Sequence, residues 1–200
     1  MKAPLLATAV KMLTGVSVRW VECTPEPRQR VYFANHTSHL DTLVIWSALP
    51  SEVRDLTRPA AAKDYWGTGK LRLYLATKVL NAVLIERKNV SRRNNPLDIV
   101  LEAIGERFSL ILFPEGTRGT GAEIGPFKSG LYHLSRNRPD LELVPVYIEN
   151  LNRILPKGEI LPVPLLCSVT FGPPIRVMDN ESKAAFLERA REAMCSLRRS

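Results

Sequence analysis

The feature that most narrows what this 200-residue chain can become is an alternation of short apolar runs, each of strand length, with longer segments of helical period. The runs are Val31–Asn35, Leu56–Ala62 (weakened by Arg58 and Pro59), Val83–Glu86, Ser109–Phe113, Leu143–Ile148 and Leu165–Phe171. Helices are expected over 38–49, 64–80, 95–107, 129–137 and 180–198. The third is the best marked: Asn95 can cap it, Pro96 takes the first helical position, and Leu97, Val100, Leu101, Ile104 and Phe108 form one stripe. Such alternation predicts an α/β fold, a single-domain mixed sheet covered by helices. At 45% hydrophobic residues the chain can bury a core, and no repeat or linker divides it.

The first 20 residues, MKAPLLATAVKMLTGVSVRW, stand apart. Lys11 interrupts their apolar run well short of the about 20 residues a spanning helix needs, and no cleavage site for a secretory signal follows. Leu5, Leu6, Ala9, Met12, Leu13 and Val16 recur at helical spacing, Lys2, Lys11 and Arg19 offer cationic anchors, and Trp20 an interfacial ring. Two readings fit. One is an N-terminal amphipathic helix over 1–20 lying on a membrane surface, with the folded domain over 21–200; the other is a helix packed on the protein's own core.

The formal charge is +8, which favours acidic partners. Nucleic acid is not expected among them, because aromatics are 7% of the residues, no nucleic-acid-binding signature occurs and the positive charge is dispersed. Cys23, Cys167 and Cys195 are odd in number and share no short spacing, so neither a disulfide framework nor a metal site is expected, and a reducing compartment fits.

In α/β sheets chemistry collects on loops that leave the carboxyl ends of strands. After the first run comes NHTSHLD. Ser38 and Asp41 have the spacing of a capping box, which places the helix start at Ser38 and leaves His36 just outside it. Asp41 can then orient the His36 imidazole as a general base, or it can simply complete the cap beside an exposed loop histidine. His39 is expected inside the helix, facing away from His36, as a surface or packing residue, and His133 is read the same way. In LILFPEGTRGTG a proline stops the strand, Gly116 allows a tight path, and Glu115 and Arg118 are presented at its end. AVLIERKN repeats the design with Glu86 and Arg87, and Lys128 in GPFKSG can join the two arginines around one dianion. Taken singly, each of these loops reads first as a solvated turn or a cap, and only their conjunction changes that.

Taken in order, NHTSHLD, LIER, FPEGTRG and LVPV at 143–146 resemble the four signature blocks of the glycerolipid acyltransferase family, which includes the lysophosphatidic acid acyltransferases. The resemblance runs from Val31 to Ile148 and implies an acyltransferase domain. It implies His36 and Asp41 as general base and orienting carboxylate. It makes Arg87 a phosphate-binding residue, and Glu115, Gly116, Thr117 and Arg118, with Lys128 beside them, the acceptor-binding set. Pro145 becomes a residue that shapes the pocket. Glu86 stands where aspartate is more usual and Gly119 where serine is common, which bears on acceptor choice.

The implied reaction is O-acyl transfer from acyl-CoA or acyl carrier protein to a lysophospholipid, 1-acylglycerol 3-phosphate giving phosphatidic acid, with no metal and no bound cofactor. The alternatives are another lysolipid or glycerol 3-phosphate as acceptor, or a non-catalytic lipid-binding relative. The implied location is the cytoplasm, peripheral at the cytoplasmic face of an anionic membrane surface.

Overall fold

The computed structural model describes residues 2–86, 95–119, 123–150 and 167–199. Its frame is a seven-stranded sheet: β1 (Ser17–Trp20), β2 (Arg30–Ala34), β3 (Thr57–Ala62), β4 (Val83–Ile85), β5 (Ser109–Leu112), β6 (Glu142–Glu149) and β7 (Ser168–Phe171), in the spatial order β1-β7-β6-β2-β5-β3-β4. All neighbours are parallel except β6 and β7. Parallel strands require both faces of a sheet to be covered, and β2 at the centre is buried at all five residues.

The two faces follow from alternation along each strand. Tyr32, Ala34, Ile111 and Val144 point into one core, covered by α1 (Lys2–Thr14), α2 (Asp41–Ala48) and α3 (Ser51–Arg54). The same core receives Ala76 and Leu80, which follow two short helices, α4 (Lys63–Trp66) and α5 (Lys70–Tyr74). Val31, Phe33, Leu110 and Leu143 point into the other, covered by α6 (Pro96–Ile104), α7 (Gly130–Asn137) and α8 (Lys183–Ser196). The caps of α6 and α8 are side-chain oxygens: Asn95 accepts from the Leu97 amide at 3.2 Å, and Ser182 from the Ala185 amide at 3.2 Å.

Strand β3 forms despite Arg58 and Pro59. It pairs with β5 through Thr57–Pro59 and with β4 through Ala60–Ala62, so the proline sits at the changeover between partners. The Arg58 guanidinium is absorbed by the Asn81 carbonyl at 2.9 Å and the Ala103 carbonyl at 2.6 Å. Pro145 occupies the matching place in β6, next to Val146, where pairing with β7 begins.

Several expectations need correction. The segment 64–80 is not one helix: Gly67 ends α4, Gly69 has φ +82°, and α5 runs into a widened, π-helical turn over Leu75–Val79. The N-terminal helix ends at Thr14 rather than residue 20, because Ser17–Trp20 pairs with Ser168–Phe171 as an edge strand. Trp20 is accordingly not a free interfacial ring; it stacks on Phe171 with centroids 4.0 Å apart. Helix α1 itself packs through Ala7, Val10 and Thr14, while Leu5, Ala9, Met12 and Leu13 remain exposed. The helix therefore packs on the protein's own core by one side and leaves an apolar side exposed. No helix among the described residues is long and apolar enough to cross a membrane.

Candidate active site

The loop leaving β2 is fixed from its first residue. Asn35 is buried and exchanges two hydrogen bonds with the backbone of Ile148, donating to the carbonyl at 3.0 Å and accepting from the amide at 2.8 Å, which ties the loop to β6. The chain then turns around a single carboxylate. Asp41 is 0% exposed, and its Oδ2 accepts from the Thr37 amide at 2.6 Å, the Ser38 amide at 2.9 Å and His36 Nδ1 at 2.7 Å. A carboxylate only accepts, so Nδ1 is the donor and Nε2 is left as the acceptor nitrogen of the ring.

This arrangement displaces the expected helix start. Residues 38–40 form a turn closed by Asp41, and α2 begins at Asp41, three residues later than the capping-box reading placed it. Ser38 Oγ accepts from the Leu40 amide at 3.3 Å instead of capping the helix. Asp41 Oδ1 is buried without a hydrogen-bond partner among the described residues, so the carboxylate's bonding is concentrated on the oxygen that faces His36.

A second loop, leaving β5, braces the first. Glu115 Oε1 accepts from the His36 amide at 2.9 Å and Oε2 from the Gly125 amide at 2.9 Å, while the Gly119 amide donates to the His36 carbonyl at 2.8 Å. Phe113 stacks on the His36 ring at 4.3 Å. Each oxygen of Glu115, a residue of the expected acceptor-binding set, accepts from a backbone amide, so the carboxylate braces the two loops. Gly116 has φ +72°, and a Cβ there would meet the Lys128 side chain at 2.8 Å. The positive φ is what calls for glycine, since the Lys128 end can swing aside.

His36 opens onto a cavity of about 280 Å³ lined by His39, Thr42, Ala60–Ala62, Tyr65, Trp66, Phe113, Thr117 and Arg118. The three alanines of β3 leave the room. A second, more apolar hollow of about 160 Å³ shares His36, the alanines and Phe113 and adds Ile85, Leu112 and Gly116. Arg118 thus stands where the sequence placed it, at the cavity of His36, and Thr117 beside it. Lys128 is not among the residues lining this cavity; with Glu115, Thr117 and Phe127 it lines a neighbouring hollow that shares Thr117. Arg87 lies outside the described residues. Pro145 is buried in β6 and is not among the residues lining either hollow.

His39 packs, as expected, but it lies before the helix and on the His36 side rather than inside the helix and away from it. The three-residue delay in α2 turns it toward the cavity, where it stacks on Tyr65 at 4.1 Å with the rings 11° from parallel. Burial, then the charges of Arg118, His36 and Arg72, push its pKa down to about 4, so it is a neutral ring at ordinary pH. His133, by contrast, is exposed on α7 as expected. Tyr65 and Trp66 escaped the sequence reading because α4 was submerged in a longer expected helix; the glycines at 67 and 69 were the available signal. Among the described residues no group of three or more His, Cys, Asp or Glu is placed to hold a metal ion.

A family model described as Acyltransferase matches residues 15–149. The chain belongs to the acyltransferase family. That match contains β1 through β6 and every cavity residue named above.

Among relatives of this acyltransferase, a probable 1-acyl-sn-glycerol-3-phosphate acyltransferase from Mycoplasma pneumoniae is 33% identical over 130 residues, covering 62% of this chain and 47% of its own. The alpha form of 1-acyl-sn-glycerol-3-phosphate acyltransferase from Homo sapiens is 26% identical over 198 residues, covering 96% of this chain and 68% of its own. The chain thus spans between about half and two-thirds of the length of these curated relatives. The crystal structure of the 1-acyl-sn-glycerophosphate (LPA) acyltransferase PlsC from Thermotoga maritima superposes with a TM-score of 0.77 at 18% identity. It covers 99% of this chain and 78% of that one, and shares the fold.

Proposed function

We propose that this acyltransferase moves a fatty acyl group from a thioester, on coenzyme A or acyl carrier protein, to the hydroxyl of a lysophospholipid, with 1-acylglycerol 3-phosphate as acceptor and phosphatidic acid as product. The observation that carries the reading is the 2.7 Å bond between His36 Nδ1 and a fully buried Asp41, on a histidine that lines a cavity with Arg118. In this mechanism Nε2 of His36 takes the acceptor's hydroxyl proton as the oxygen attacks the thioester carbon. The tetrahedral intermediate collapses, the carbon–sulfur bond breaks, and the imidazolium returns its proton to the leaving thiolate, so ester and free thiol are formed. Asp41 holds the ring in its working tautomer and stabilises the imidazolium. Base assistance of this kind is worth about 10²–10⁴-fold.

Arg118 supplies a planar fork for the acceptor's phosphate, Arg87 is its partner in the proposal, and the apolar hollow of Ile85 and Leu112 takes acyl methylenes. Helix α1 lies in the plane of an anionic membrane, at the cytoplasmic face, with exposed Leu5, Ala9, Met12 and Leu13 toward the lipid. The names of the relatives support the choice of acceptor. Purified protein assayed with both donors against labelled 1-acylglycerol 3-phosphate, glycerol 3-phosphate and lysophosphatidylcholine tests it. The expected product is phosphatidic acid from the first acceptor; free fatty acid alone, or preference for the zwitterionic phosphodiester headgroup of lysophosphatidylcholine over the phosphomonoester, contradicts it.

A further inference from the structure

The two helical layers differ on their outer surfaces. On α7, its C-terminal turn and α8 the outward side chains pair as ions, Arg138 with Asp140 at 2.7 Å, Arg189 with Glu181 at 2.7 Å and Arg191 with Glu188 at 2.6 Å. On the other side of the sheet, Leu5, Met12 and Leu13 of α1 and Leu71, Leu73 and Tyr74 of α5 are the exposed large hydrophobics; the remaining one among the described residues is Met178. Helix α1 has a packed face to account for its presence. Helix α5 is anchored through its continuation, the π-helical turn that buries Ala76, while every residue from Thr68 to Tyr74 is itself exposed, with Leu71 at 70% and Leu73 at 39%. Leu71 and Leu73 thus lie outside the packing that anchors the segment, and their exposure calls for another reason.

The composition around α5 indicates what covers it. Between residues 63 and 78 the chain carries Lys63, Lys70, Arg72 and Lys78 against the acidic Asp64. Exposed leucines interleaved with cations are the composition of a segment that seats at an anionic lipid interface. The place in the fold agrees. Ala76 and Leu80, just beyond α5, are buried in the same core as Ala7 and Val10 of α1, so both elements cover one face of the sheet. Arg72 lies over Tyr65 at 4.5 Å, and Tyr65 lines the cavity of His36.

We infer that α5 is a second membrane-contact element, with Leu71 and Leu73 in the headgroup–acyl boundary of an anionic bilayer and Lys70 and Lys78 against lipid phosphates, which sets the mouth of the cavity at the lipid surface. The inference deepens the acyl-transfer reading, since a cavity so placed draws a one-chain lipid from the bilayer without passing it through water.

The test uses the full chain and vesicles of phosphatidylcholine mixed with phosphatidylglycerol, against phosphatidylcholine alone, with no substrate present. The double variant Leu71→Ser/Leu73→Ser is expected to lose about tenfold or more of its partition to the mixed vesicles, keeping its thermal midpoint and its turnover of a short-chain, water-soluble acceptor. Lys70→Gln/Lys78→Gln is expected to lose the preference for anionic vesicles and its salt sensitivity. As an independent readout, the indole added in Leu71→Trp is expected to be quenched by lipids brominated in the acyl chain. Undiminished partition of the leucine variant, or an added indole that brominated lipid does not quench, overturns the inference. So does a parent dimer that becomes a monomer in the leucine variant with partition unchanged, which makes the patch an interface between copies. A parent that partitions as expected but turns over no acceptor refutes the acyl-transfer reading and leaves the surface assignment standing.

Discussion

His36 and His39 sit three residues apart, line the same cavity and carry the same ring, yet their surroundings assign them opposite properties. His36 has a buried carboxylate on Nδ1 at 2.7 Å, its backbone amide held by Glu115 and its face covered by Phe113. Among the described residues no carboxylate pairs with His39; it stacks on Tyr65, and burial together with nearby cations keeps it neutral, its pKa down to about 4. In the proposed mechanism what makes an imidazole a base is not access to a cavity, which both have, but a fixed acceptor on the far nitrogen that selects the tautomer and stabilises the charged form. His39 is a neutral wall.

The largest effects that can break this contrast belong to the pair. His36→Ala is expected to lower kcat by about 10³-fold in a protein that keeps its thermal midpoint, and Asp41→Asn by about 10²–10³-fold, since an amide can accept from the loop amides without fixing the tautomer. Near-normal turnover in either folded variant makes the histidine–aspartate pair a structural cap. Next comes the brace. Glu115→Gln leaves one oxygen for two amide donors, so the loop of His36 shifts, and kcat is expected to fall by about tenfold or more with the acceptor KM little changed. A rise confined to KM would return Glu115 to the acceptor. Arg118→Lys keeps the charge and loses the fork, and is expected to raise the KM for a phosphate-bearing acceptor by about tenfold while leaving the donor KM in place.

The smallest effect concerns His39, and its sign follows from proton binding. Its folded pKa, about 4, lies below the ordinary 6.5, so below pH 6.5 the unfolded chain takes up a proton that the folded chain refuses. The contribution is fully present above pH 6.5 and is lost as pH falls toward 4. For a half-buried ring, screening reduces the loss to about 1 kcal/mol. Chemical denaturation of His39→Phe, which keeps the stack on Tyr65, is expected to show a shallower acid decline than the parent and kcat within about threefold. A slope that does not change would place the acid sensitivity elsewhere.

What the sequence made legible, and what it hid, follows from how local the cause is. The order of strands β2 to β6 and the residues of the first and third loops could be read because each is a contiguous run in which a strand ends on polar residues. The facing of His39 could not be, because it depends on where α2 begins, and that depends on three donors converging on one oxygen of Asp41. Strand β1 was hidden for a different reason: SVRW is a strand only because Ser168–Phe171, far along the chain, pairs with it. The room for a substrate was equally invisible. It comes from Ala60–Ala62, which as sequence looked like a weak strand and in the fold is the cavity floor.

The central claim is that His36 and Asp41 act as one unit, and a double-mutant cycle on turnover tests it most directly. If Asp41 works through the His36 ring, His36→Ala/Asp41→Asn is expected to be no slower than His36→Ala alone, because the carboxylate has nothing left to orient. If the two losses instead multiply in the double variant, the residues serve separate roles and do not form one catalytic unit.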